Sequence, residues 1–113
     1  MTKHLPTALL WLTFTFASPS LYGQTSLLNV SYDVAREFYK EYNTAFVEHY
    51  KKTTGKDVKV DQSHGGSSAQ ARAVADGLEA DVVSMNTTTD IDFLADKNVV
   101  AKDWREIFPN NSV

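Results

Sequence analysis

The sequence predicts an α/β fold: three strand–helix units in series that lay their strands in one parallel sheet. Three observations predict it. Short apolar, β-branched runs alternate with stretches whose apolar residues recur every three or four positions. Each helical stretch opens on a capping side chain, at Asp33, Ser67 and Thr89. Each closes on a residue suited to a left-handed turn, at Gly55, Gly77 and Asn98. Alternation of this kind implies parallel strands and right-handed crossovers. There is no internal repeat, and the order of the strands is left open.

Leu27–Tyr32 (LLNVSY) reads as the first strand. Asp33 caps a helix that runs to about Thr54, with Ala35, Phe38, Tyr42, Ala45, Phe46 and His49 on its inward face. Glu37, Lys40, Glu41, Glu48, Lys51 and Lys52 fall mostly on the other side. Asp57–Gln62 (DVKVDQ) alternates polar and apolar residues as a second strand, and Ser63–Ser68 (SHGGSS) is a tight glycine–serine turn. Ala69–Asp76 is the second helix. Ala80–Met85 (ADVVSM) is a third strand, nearly continuous in apolar and β-branched residues. Thr89–Lys97 is a third helix with Ile91 and Leu94 inward. Val99–Val113 is mostly irregular, anchored by Trp104, Ile107 and Phe108.

A length of 113 residues is one domain's worth, and 42% hydrophobic content fills a small core. The net charge of −3 argues against a nucleic-acid module, which needs clustered Lys and Arg to neutralise phosphates. The absence of cysteine excludes a disulfide scaffold, a thiolate metal site, a catalytic thiol and a lipidated cysteine. Residues 1–23 read as a secretory signal peptide: Lys3 and His4, then the apolar run Ala8–Ala17, then small residues ending at Gly23. The run is shorter than the ~20 apolar residues a membrane span needs. Cleavage near Gly23 removes Lys3 alone among the charges and takes the net charge from −3 to −4. The expected location is therefore outside the cytoplasm.

In open parallel sheets ligands bind beyond the carboxyl ends of strands. That puts weight on Ser31–Asp33 and Ser63–Ser68. Ser67-Ser68-Ala69-Gln70 fits a capping box, with Ser67 as cap and Gln70 reaching back. Gly65 and Gly66 allow close approach of the backbone. The free N–H groups of the first helical turn and the helix dipole favour an anion without any basic side chain. A serine hydroxyl there can accept from the helix and donate outward. An ordinary turn and a well-capped helix explain the same letters. Asp33 needs no purpose beyond capping; in an anion site it would have to act through its backbone N–H, with its carboxylate held elsewhere. His49 and His64 lack partners at metal-ligand spacing. His49 reads as helix packing or surface, and His64 as a turn residue. Asp90, Asp92 and Asp96 lack the glycine and terminal glutamate of a calcium loop and read as a solvated acidic helix start. No metal site or cofactor is expected.

Four segments carry a more specific expectation: LLNVSYDVAR (residues 27–36), QSHGGSSAQ (62–70), GLEADVV (77–83) and AKDWREIFPNNS (101–112). In that order and spacing they resemble the periplasmic sulfate- and thiosulfate-binding proteins of bacterial ABC importers. The resemblance implies the N-terminal lobe of a type II periplasmic-binding-protein fold, a solute-binding rather than enzymatic role, and membrane permease and ATPase subunits as partners. It implies an oxyanion held by neutral donors: main-chain N–H groups, a serine hydroxyl and a tryptophan ring N–H. By position, Asp33 would give its backbone N–H, and Ser67 its hydroxyl and N–H. Ser68 stands where one branch of the family has glycine and another serine, and is counted with them. Val34-Ala35 and SMNTTT (84–89) also depart from common family residues, which leaves sulfate and thiosulfate both open. Family members are much longer, so residues 24–113 would be a partial first lobe, with the site tryptophan outside it and Trp104 in the core. The competing readings are a truncated remnant without binding activity and a small secreted hydrolase of sulfate or phosphate esters.

Overall fold

The computed structural model describes residues 23–107 and Asn110. The expected leader, up to Tyr22, and the expected anchor Phe108 lie outside the described residues. Three strands form one parallel sheet: β1 (Thr25–Tyr32), β2 (Val58–Gly65) and β3 (Val82–Ser84), in the order β2-β1-β3. Helix α1 (Arg36–Thr54) covers one face. Helices α2 (Ser67–Ala75) and α3 (Thr88–Asp96) lie on the other, and a single turn, α4 (Trp104–Ile107), follows.

Each sheet face follows from the two-residue period of a strand. On the α2 and α3 side, Val30, Ala71, Val74 and Leu94 make the core, with Leu28, Val83 and Phe93 packed against it. Val30 and Leu94 are fully buried. On the α1 side the sheet presents Leu27, Asn29, Val60 and Val82, and an apolar groove of about 450 Å³ remains between these residues and α1.

Strand β2 is longer than its local alternation suggests. Ser63, His64 and Gly65 pair with Val30, Ser31 and Tyr32, so only Gly66 separates β2 from α2. The expected turn over 63–68 is thus strand in its first half and helix at its end; pairing to β1 overrides the turn preference of Ser63–Gly65. Strand β3 is shorter than expected, although Asp81 still exchanges hydrogen bonds with Leu28 through its backbone amide (2.9 Å) and its carboxylate (2.8 Å).

The first helix opens differently from expectation. Asp33–Ala35 form a 3-10 turn capped at Tyr32, with no side-chain cap, and the Asp33 carboxylate pairs with Arg36 instead. The inward face of α1 is more open than expected: Phe38, Tyr39, Tyr42, Asn43 and Phe46 all line the groove against the sheet. Phe38 and Tyr42 are 60% and 55% exposed, and Ala45 and His49 are exposed too, while Asn43 is buried and Tyr39, Phe46, Val47 and Tyr50 are partly so. Two polar links tie this face to the sheet: Asn29 Nδ2 donates to Asn43 Oδ1 (3.3 Å), and the Tyr39 hydroxyl bonds Ser84 Oγ. Gly55 ends the helix at φ +72°, its amide bonded to Lys51 O at 2.9 Å.

Gly77 (φ +115°) and Asn98 (φ +58°) are the left-handed stops the sequence predicts. The cap of α3 is Thr87 rather than Thr89. Past Asn98, Trp104 is half-buried and donates its ring N–H to Asp92 (3.2 Å), with Arg105 on the other oxygen of that carboxylate (2.7 Å). Ile107 is 60% exposed and anchors nothing.

Candidate anion-binding site

The parallel register brings the carboxyl ends of all three strands to one edge. Tyr32 lies beside Gly65, and Ser31 lies between His64 and Ser84. The chain leaves this edge three times, into the 3-10 turn at Asp33, into α2 at Ser67 and into α3 at Thr88. Asp33 and Ser67 therefore follow neighbouring strands at the same end of the sheet. Starts of helices concentrate unpaired N–H groups and positive dipole ends.

At Asp33 the side chain is accounted for by Arg36, three residues on. The carboxylate is thus held by a guanidinium and does not occupy the backbone N–H groups of its own turn. At α2 the cap is Gly66, with φ −59° and ψ 133° and no side-chain cap. The first intrahelical bond runs from Gln70 N to Gly66 O (2.9 Å), so the amides of Ser67, Ser68 and Ala69 precede the helical ladder. The expected capping box is absent. Gln70 instead donates to Ser63 Oγ (3.0 Å) and Ser31 O (3.4 Å), tying α2 to both strands.

The two serine hydroxyls point to Asp90. Ser67 Oγ donates to Asp90 Oδ2 (2.6 Å) and Ser68 Oγ to Asp90 Oδ1 (2.8 Å); Thr87 Oγ1 adds a third bond to Oδ2 (3.2 Å). Ser67 Oγ also accepts the Asn86 N–H at 3.0 Å. The expectation that Ser67 donates outward is therefore corrected for this structure: its one proton is on Asp90. Asp90 itself is 7% exposed, not a solvated helix start. The Ser67 hydroxyl holds its carboxyl below the ordinary carboxylate value against the opposing effect of burial, with Ser68, Thr87 and the Arg72 charge adding to it. A carboxyl with a lowered folded-state value stabilises the fold fully above its ordinary titration near pH 4 and loses that contribution as pH falls through the folded value. Thermal unfolding followed from pH 6 to pH 2 is expected to show a falling acid limb, shallower in Asp90→Asn.

Sequence reasoning also missed a chain of three polar side chains behind the site. Ser31 Oγ lies 2.6 Å from His64 Nδ1, and His64 Nε2 lies 2.8 Å from Gln62 Oε1. Burial, then the Arg36 charge, pushes the His64 imidazole below its ordinary value, so the ring is neutral at pH 7. With Gln62 Oε1 accepting, Nε2 carries the proton, and Nδ1 (2.6 Å) and Tyr32 O (3.2 Å) are the two acceptors for the one Ser31 proton. The order serine, histidine, amide resembles a nucleophile with its base, but Ser31 is 0% exposed and cannot reach a substrate. The chain knits β1 to β2; its only signal in the sequence is that residues 62 and 64 share a strand face. Among the described residues no group of three His, Asp or Glu side chains could hold a metal ion.

The edge offers backbone N–H donors, with the Ser67 and Ser68 hydroxyls held on Asp90 and Arg36 paired with Asp33. Such a set suits a guest made only of acceptors. Comparison with known proteins gives the family. The family profile described as bacterial extracellular solute-binding protein matches residues 28–113. A thiosulfate-binding protein of Pseudomonas aeruginosa is 60% identical over 87 residues, covering 76% of this chain and 26% of that protein. A sulfate-binding protein of Escherichia coli is 46% identical over 102 residues, covering 89% of this chain and 31% of that protein. The solved structure of the sulfate-binding protein SubI from Mycobacterium tuberculosis superposes with a TM-score of 0.62 at 33% identity, over 74% of this chain and 28% of that one. This chain thus spans between a quarter and a third of the length of these relatives. With a parallel β2-β1-β3 sheet under helices on both faces, and a profile match from the first strand onward, the chain belongs to the bacterial extracellular solute-binding proteins.

Proposed function

We propose that this protein is the receptor component of a sulfate or thiosulfate importer, acting in the periplasm after export on the leader 1–23 and delivering its anion to membrane permease and ATPase subunits. Residues 24–113 supply part of the first lobe of the binding domain. The anion meets the backbone N–H of Asp33, the N–H and hydroxyl of Ser67, and the N–H of Ser68. One observation supports this reading above the rest: Asp33 and Ser67 open turns at the ends of adjacent parallel strands. The names of the relatives supply the class of anion.

The same donors explain selectivity. Sulfate at neutral pH has only acceptors, and a donor-only site satisfies all of them. Monohydrogen phosphate brings a proton with no acceptor to meet it, and an unpaired buried donor costs about 1–3 kcal/mol. Titration calorimetry is therefore expected to show sulfate or thiosulfate bound about 5- to 150-fold more tightly than phosphate at pH 8. Added chloride should weaken binding only mildly. Equal affinity for phosphate, or no heat with either sulfur anion, contradicts the reading. Release of product from a chromogenic sulfate or phosphate ester would favour a hydrolase.

A further inference from the structure

Asp90 is a buried carboxylate beside the donors of an anion site, an arrangement that charge alone opposes. Its contacts give the reason for its presence. Its two oxygens gather the hydroxyls of Ser67, Ser68 and Thr87, and its own amide donates to Thr87 Oγ1 (3.4 Å). Ser67, held this way, accepts the Asn86 N–H from the loop after β3. One side chain thereby ties the first two residues of α2 to the start of α3, about twenty positions away in the chain. Helix α2 has no side-chain cap of its own to fix its amino end.

We propose that Asp90 is a positioning residue of the anion site: it fixes the amino end of α2 and the direction of the Ser67 hydroxyl. The proposal rests on the anion-binding reading above for its functional consequence, but the clamp itself does not. Ser67 has one proton, so an anion that takes it does so by exchange with Asp90, while Ser68 and Thr87 continue to satisfy the carboxylate. The sign of the effect separates positioning from simple charge. Removing a negative charge near an anion tightens binding if charge is all that matters. Losing the geometry weakens it.

The test uses Asp90→Asn, which keeps the shape and one acceptor but sets an amide N–H₂ against a hydroxyl. Two measurements are made on the 113-residue protein. Amide hydrogen exchange at Gln70 and Asn86, whose acceptors are Gly66 O and Ser67 Oγ, is expected to rise at least tenfold while α1 amides hold. The sulfate dissociation constant is expected to rise at least tenfold, and by less than threefold when the same change is made in Ser67→Ala. If Asp90→Asn fails to fold, Thr87→Val removes one of the three hydroxyls and is expected to give about threefold changes in the same direction. Unchanged exchange, tighter or unchanged sulfate binding, or equal losses in both backgrounds would overturn the proposal. If the unmodified protein binds no sulfate, the receptor reading fails, and unchanged or raised exchange still decides the clamp.

Discussion

Ser67→Ala is expected to weaken sulfate binding by about 10- to 150-fold, the equivalent of one charge-assisted hydrogen bond of roughly 1.5–3 kcal/mol. The hydroxyl sits between Asp90 and the Asn86 amide at the first residue of α2. Its removal takes one donor from the site and one of three hydroxyls from the carboxylate. The backbone N–H of residue 67 remains, so binding weakens without vanishing. Calorimetric titration of the variant, with its unfolding temperature measured alongside, reads the effect. Affinity within twofold of the unmodified protein would remove Ser67 from the site.

The second large effect concerns stability. Leu94→Ala is expected to destabilise the fold by about 2–5 kcal/mol, because it deletes a fully buried side chain and leaves a cavity. The core around it is small, with Val30, Ala71 and Val74 as its other fully assembled members. Neighbours of that size fill a leucine-sized void poorly, which places the expected loss in the upper half of the range. Val99 N bonds Leu94 O (2.9 Å), so the left-handed stop at Asn98 frays with it. Urea unfolding followed by tryptophan fluorescence measures the change, and a loss below 1 kcal/mol would show that the α2–α3 side is not the stabilising core.

The strand–helix series and the three helix stops were legible because they depend on local periodicity and on residue type, whereas the expected caps Asp33, Ser67 and Thr89 gave way to Tyr32, Gly66 and Thr87. Gly55, Gly77 and Asn98 take the positive φ values their types suggest. What escaped depends on partners distant in sequence. Strand β2 runs on through Ser63-His64-Gly65 because β1 supplies hydrogen-bonding partners for it, whatever turn preference those residues have alone. Helix α1 buries Asn43 against Asn29, while Phe38 and Tyr42, on the same side, line an open groove against the sheet and stay 60% and 55% exposed. A pattern that equates polar with outward misplaces such a helix.

The candidate site shows the same division. Asp33 and Ser67 could be singled out because helix starts are local features. The loss of the capping box could not, since Ser67 and Ser68 turn to a carboxylate more than twenty residues away. A hydroxyl bonded to an ionised acceptor gains more than one bonded to a neutral group, so Asp90 wins the competition. An aspartate in the first turn of a helix ordinarily answers the dipole from the solvent side. Here burial by α2 turns that aspartate into the link between two helix starts.

Whether uncharged protons at these helix starts hold a doubly negative guest is read most directly by amide nitrogen–proton spectra during a sulfate titration. Saturable shifts are expected at the backbone amides of residues 33, 67 and 68, with the Arg36 and Arg72 side-chain signals nearly still. Shifts concentrated on those guanidinium groups, or on lysine-bearing surface far from the strand ends, would contradict the account.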